Sequence, residues 1–223
     1  EFFKPGIEVL EINCGTGEDA IFLTSNGIHV TATDASLEMV NISQKKFSKL
    51  GISEQISVKH CKYEELDTKL SPDKIFDGIV SNFGGLNCAD DIYYLSSQLI
   101  KIVKPGGYIY LCMMGRLTPW EWFYLGYKGK FKKIFNRITG KTKWRGQYIR
   151  YYTPGQIIKA FKPFCEISKV YGLGFLLPPT YAGSFVNRNS KFFNKLNLIE
   201  KKISSCMFIP QLSDHFILVL YKK

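Results

Sequence analysis

Between Val9 and Ala20 the chain reads VLEINCGTGEDA. An apolar run broken by one acid, Glu11, leads into a turn holding Gly15 and Gly17, and a helix start follows. A strand, a glycine turn and a helix in that order cradle a nucleotide-like ligand, because the turn presents backbone N–H groups and a helix N-terminus to it. Gly15-Thr16-Gly17-Glu18-Asp19-Ala20 even fits the G-x-G-x-x-[GA] pattern of NAD-binding folds, so the glycines alone leave the ligand open. The carboxylates discriminate better. A pyrophosphate is disfavoured beside Glu11, which suits a ligand with a cationic part. Asp34, expected at the end of the second strand, can accept both hydroxyls of a ribose, a device common to several cofactors.

These residues need a scaffold, and the first 115 residues supply one by alternation. The pattern predicts strands over Ile7–Ile12, Ile28–Thr33, Ile56–His60, Phe76–Ser81 and Tyr108–Met114. It predicts helices over Glu18–Asn26, Ser36–Leu50 and Ala89–Val103, and a short polar helix or turn after the third strand. Lys104–Gly107, KPGG, reads as a turn. After Gly115 the rhythm breaks into an aromatic, basic stretch. It resumes with Thr153-Pro154 opening a helix to about Phe161, a strand over Phe164–Tyr171, an irregular stretch with a helix of its own, and a last strand over Asp214–Tyr221. Such alternation predicts a mostly parallel sheet covered on both faces, whose ligand lies beyond the carboxyl ends of the strands.

Four segments, in this order, carry a resemblance: VLEINCGTG, TATDAS, FDGIVSNFGGLN and VKPGGYIYL. They resemble the class I S-adenosylmethionine-dependent methyltransferases, over about half of the chain. That ligand carries an ammonium and a sulfonium, as Glu11 would favour. The resemblance implies an α/β, Rossmann-like, doubly wound, mostly parallel seven-stranded sheet, with an antiparallel last strand and helices on both faces. It implies one domain over residues 1–223, with substrate-cap insertions at 115–150 and 172–213. The chain opens at Glu1 rather than Met, close before a predicted strand, so a preceding segment is expected. S-adenosylmethionine, leaving as S-adenosylhomocysteine, is expected to contact Glu11, Asn13, Cys14, Gly15, Thr16, Gly17, Asp34, Ala35, Met39, Cys61, Lys62, Tyr63, Ser81, Asn82 and Phe83. The chain departs from the family in three places. Asn13 stands where glycine is usual, and asparagine tolerates left-handed backbone. His60-Cys61-Lys62-Tyr63 has no acid for the adenine amine, so adenine is expected to rest on apolar groups and backbone there. Ser81-Asn82-Phe83-Gly84 is not the Asn/Asp-Pro-Pro-aromatic signature of amino-methylating nucleic-acid enzymes.

The acceptor is less legible. Both irregular stretches leave the sheet at the edge where the methyl donor would sit, and the last strand starts from it. His215 and Tyr151 are the candidate catalytic residues, with Tyr152 next. Arg116, Trp120, Arg145, Arg150 and Tyr181 are candidate substrate contacts. The net charge of +11 is concentrated: residues 115–150 hold ten bases against Glu121, or +9. Aromatics interleave with those bases. Three readings stand: the apolar face of a lid, a surface resting on an anionic membrane, or RNA contact by stacking and phosphate binding. A second basic amphipathic stretch near Phe192–Ile203 leans toward peripheral membrane contact or an apolar substrate over RNA, and the acceptor is expected to be a small molecule, anionic or amphiphilic. An RNA methyltransferase, and a methyltransferase-like domain without turnover, remain alternatives. The six scattered cysteines and three distant histidines form no metal-ligand pattern and fit a reduced, cytoplasmic protein. No apolar run approaches the roughly 20 residues of a membrane-spanning helix.

Overall fold

The computed structural model describes residues 2–70, 74–144, 146–178 and 183–223. Arg145 and Tyr181 lie outside them. The first half runs β1 (Glu8–Ile12), α1 (Glu18–Ser25), β2 (His29–Asp34), α2 (Leu37–Leu50), β3 (Ile56–His60), α3 (Leu66–Lys69), β4 (Phe76–Ser81), α4 (Ile92–Lys101) and β5 (Val103–Met114). Residues 115–150 hold α5 (Pro119–Tyr127), α6 (Phe131–Thr139) and a hairpin of β6 (Lys141–Trp144) with β7 (Gln147–Arg150). Then come α7 (Pro154–Phe161), β8 (Cys165–Leu173), α8 (Gly183–Arg188), α9 (Ser190–Ile203) and β9 (His215–Lys222).

Seven strands form one sheet in the order β3-β2-β1-β4-β5-β9-β8. β1 to β5 pair in parallel, and β9 runs antiparallel to both β5 and β8. The order reverses between β1 and β4. Chain leaves to opposite sides there, which opens a crevice at the carboxyl ends of these two strands.

Period-2 alternation divides the core between the two faces. Leu10, Ile12, Ile79, Ile109, Leu111, Phe216 and Leu218 pack with Leu95 and Leu99 of α4 and Ile157 and Phe161 of α7. On the other face Val9, Val30, Ala32 and Val80 pack with Ala20 and Leu23 of α1 and Phe47 of α2. Further along that second face, Cys112, Ile217 and Val219 are covered by Phe2 and by tyrosines of the sheet itself. Burial on both sides leaves β1 and β4 mostly apolar, with Glu8, Glu11 and Asp77 as their charged interruptions.

The KPGG segment differs from the expectation. It lies inside the bounds of β5, as an irregularity: β4–β5 pairing jumps from Phe76↔Val103 to Gly78↔Tyr108. Gly107 makes this feasible, because a Cβ there would come within 2.7 Å of the Asp77 carbonyl oxygen. Lys104 closes the outward loop on Asp77 at 2.6 Å. The local turn chemistry is as read, but strand pairing continues around it.

Candidate active site

The turn after β1 is bent by three left-handed residues, Asn13 (φ 60°), Gly15 (φ 54°) and Gly17 (φ 80°). Asn13 therefore takes the conformation that glycine would supply. Gly17 also answers to packing: a Cβ there would sit 2.5 Å from the Phe47 ring. The bend aims the Gly15 N–H at Asp34 Oδ2, 2.8 Å away, while Asp34 Oδ1 accepts from the Ser36 N–H at 2.8 Å. Asp34 thus fixes the glycine turn and the start of α2 together, and keeps unused lone pairs for a ligand.

Glu11 is almost fully buried at this turn. Burial, and then the neighbouring Asp19 and Asp34 carboxylates, push its carboxyl from the ordinary 4.5 up to about 8. A carboxyl held between the Asp19 and Asp34 carboxylates disfavours a pyrophosphate and favours a cation, whose arrival would ionise it. Three buried polar atoms at the ends of β1 and β4 have no hydrogen-bond partner among the described residues: Glu11 Oε2, Asn13 Nδ2 and Ser81 Oγ. Buried polar groups left unmatched cost stability unless a ligand or water completes them. One acceptor, one donor and one hydroxyl suit the ammonium and carboxylate of an amino acid. The residues present therefore fit S-adenosylmethionine, cationic at one end and ribose-bearing at the other, and do not fit a dinucleotide.

The remaining cofactor candidates lie at the carboxyl ends of β2, β3 and β4. The Ala35 carbonyl meets His60 Nε2 at 3.0 Å, and Met39 N–H donates to Ser36 Oγ at 3.4 Å. The buried Cys61 donates its N–H to the Asp34 carbonyl at 2.9 Å, and Lys62 donates its N–H to Glu65 Oε2. Tyr63 accepts from the Asp90 N–H, and burial pushes its phenol up. Asn82 Nδ2 donates to Asp19 Oδ2 at 2.9 Å and ties the β4 end to α1. Phe83 is exposed and held at φ 51°, a costly conformation for a bulky residue and one that clusters at functional sites.

His215 opens β9 opposite Met114 of β5 and Leu173 of β8, so it stands at the same edge of the sheet. Its ring meets that of Phe83 edge-on, with centroids 6.4 Å apart. Nδ1 faces Asp214 Oδ2 at 3.1 Å, which leaves Nε2 turned to other partners. Asp214 also pairs with Arg137 Nη2 at 2.9 Å, and Arg137 Nη1 pairs with Glu121. Burial pushes Asp214 up, but His215 and Arg137 outweigh it and hold the carboxyl below its usual value. Arg137 further donates to the carbonyls of Gly115 and Asp214, both at 2.8 Å. Tyr151 lies with its ring 5.1 Å from the Arg137 guanidinium. Burial pushes its phenol up, which makes it a donor rather than a base.

Two of the expected substrate contacts are engaged within the chain. Arg116 Nε donates to the Ile138 carbonyl at 2.6 Å, and Arg150 forks onto Asp90 at 3.1 and 2.8 Å. Trp120 is half-buried in the first turn of α5. Sequence reasoning missed Asp19, Asp214, Asn87 and the special place of Arg137, which read as one base among ten. The buried Asn87 amide bridges Met114 and Arg150, donating to both carbonyls and accepting from the Met114 N–H. The available signals were Asp19 two residues after Gly17, and an acid directly before the candidate histidine.

Residues 9–107 match a family described as a methyltransferase domain. A demethylmenaquinone methyltransferase from Bacillus cytotoxicus is 29% identical over 146 residues, 62% of this chain and 59% of that protein. Among the first relatives matched, the alignments reach at most 64% of a relative's own length. Two solved structures share the fold over 99% of the chain. Phosphoethanolamine N-methyltransferase 2 from Haemonchus contortus, in complex with S-adenosyl-L-methionine, is 18% identical with a TM-score of 0.64, over 49% of that chain. The [4+2]-cyclase SpnF is 16% identical with a TM-score of 0.66, over 76% of that chain. Residues 9–107 thus match a methyltransferase-domain family, and the chain shares its fold with solved S-adenosylmethionine-dependent methyltransferases.

Proposed function

We propose that the chain transfers a methyl group from S-adenosylmethionine to a small molecule with an anionic or amphiphilic character. The observation that carries this reading is the set of unmatched polar atoms of Glu11, Asn13 and Ser81 beside three carboxylates. In this reading Asp34 holds the ribose hydroxyls, Glu11 and Asp19 face the cationic end, and the Cys61–Tyr63 backbone borders the adenine. When bound, the cofactor supplies an electrophilic methyl carbon on its sulfonium. Residues 115–150 and 172–213 act as caps that exclude water and orient the acceptor. His215 Nε2 takes the acceptor's proton where one must leave, while Asp214 holds Nδ1.

The acceptor class has two supports. A cleft of about 720 Å³ in the first cap is lined by Lys130, Lys132, Lys133, Lys143 and Tyr151, beside the already paired Arg137 and Glu121, and the excess of lysines suits an anionic group. The relatives named for demethylmenaquinone and phosphoethanolamine methylation act, by those names, on small molecules. The test is methyl transfer from labelled S-adenosylmethionine to a panel of quinols, phosphorylated amines and mixed RNA. Label on a small acceptor, lost in His215→Ala with cofactor binding intact, is the expected result. Label on RNA alone would overturn the acceptor class, and cofactor binding with no label anywhere would leave a binding domain instead of an enzyme.

A further inference from the structure

The helix α6 is turned inside out. Its apolar residues, Phe131, Ile134, Phe135 and Ile138, recur at i, i+3, i+4 and i+7 and share one face, which in a soluble domain normally meets the core. Here Phe131 is 58% and Phe135 66% exposed, and the one buried residue of the helix is Arg137, at 7%. The ion pairs of Arg137 with Glu121 and Asp214 explain the inversion, because they hold the helix by its polar face. In α5, Phe123 and Tyr127 share a face at i and i+4 and are 77% and 91% exposed. The two faces join, since a Cβ on Gly126 would reach van der Waals contact with the Phe131 ring, at 4.0 Å. Lys128, exposed, adjoins this aromatic surface, and the exposed Lys130, Lys132 and Lys133 follow at the rim of the neighbouring cleft.

We propose that this outward face of α5 and α6 docks the chain on an anionic lipid surface. Aromatic rings settle at the boundary between headgroups and acyl chains, while flanking lysines reach the phosphates. Charge selects this occupant. A second copy would set one +9 segment against another. RNA would occupy the lysines but leave Ile134, Phe135 and Ile138 in water. No helix among the described residues is long and apolar enough to cross a membrane, so the contact is peripheral. Arg137 anchors the inner side of α6 beside Asp214 and His215, so the docking face stands about 10 Å, one helix diameter, from the proposed catalytic edge. Under the proposed function, an acceptor held in the lipid layer would lie within reach. The docking itself is independent of methyl transfer.

The experiment is co-sedimentation of the full chain, without cofactor, with vesicles of phosphatidylcholine alone or mixed with phosphatidylglycerol. Binding to the mixed vesicles only, weakened by salt, is expected. Phe131→Ser with Phe135→Ser should lower that partition by about tenfold or more, and Lys128→Glu by a smaller factor. Both variants should keep the parent's thermal midpoint and S-adenosylmethionine affinity, since the changed side chains are exposed. Absence of vesicle binding would overturn the proposal, as would binding unmoved by the phenylalanine pair. Dimers dissolved by the phenylalanine pair, or RNA binding without vesicle binding, would equally reassign the face.

Discussion

At the ends of β1 and β2 and the start of α1 three carboxyl groups, Glu11, Asp34 and Asp19, meet around a glycine turn. In residues 115–150, at the same edge of the sheet, ten bases stand against one acid. The first region is held by backbone: left-handed residues aim N–H groups at Asp34, and packing against Phe47 and Asn13 admits only glycine at positions 17 and 85. The second is pinned to the sheet by side chains: the buried Arg137 reaches across to Asp214, Asn87 holds the Arg150 carbonyl, and Arg150 forks onto Asp90. The carboxylate cup is shaped before a ligand arrives, whereas the cap's position depends on these side-chain ties, of which the Arg137 cluster is the most buried. The two regions should fail differently.

The largest effect is expected at the pin. Arg137→Met takes from Glu121 and Asp214 the buried cation they share and should cost about 3–5 kcal/mol in a denaturant melt. A cost within the scatter of surface substitutions would mean the cap is held by apolar packing instead. Next comes His215→Ala, which should lower turnover about a hundredfold with cofactor affinity unchanged. Asp34→Ala should weaken S-adenosylmethionine binding by about one order of magnitude or more, as charged hydrogen bonds to the ribose are lost.

Glu11 sharpens the comparison through pH. Its folded carboxyl is raised from 4.5 to about 8 by burial and its two neighbours, so the folded state binds more protons between those values. Its contribution to stability is full below 4.5 and is lost as pH rises through about 8. Cofactor affinity should move oppositely, because the cation favours ionised Glu11. It should rise about tenfold across the two pH units centred on about 8, and Glu11→Gln should flatten that profile. The smallest effect is at Asn13, already left-handed at φ 60°. Asn13→Gly should leave stability within about 1 kcal/mol of the parent in the same melt.

The same contrast explains what could be read in the sequence. The strand pattern placed β3 and β4 at their observed ends; burial on both faces fixes that pattern locally in β4, whereas β3 is a partly exposed edge strand. Asp34 and the glycine turn were legible since their spacing along the chain sets their geometry. Asn13 was readable as a tolerated substitute for the same reason. Arg137 was not, because its meaning depends on Asp214, which stands 77 residues further along the chain. The inversion of α6 was hidden too: a helix with an apolar stripe has the same periodicity whichever way it faces. The pairing of Arg150 with Asp90 likewise follows from tertiary approach rather than from local pattern.

The most direct test of the central claim is calorimetry on the purified chain with S-adenosylmethionine, S-adenosylhomocysteine and NAD, with Asp34→Ala alongside. The carboxylate cup predicts binding of the first two, weakened in the variant, and none of NAD. Binding of NAD alone, or of nothing, would contradict it and remove the basis for methyl transfer.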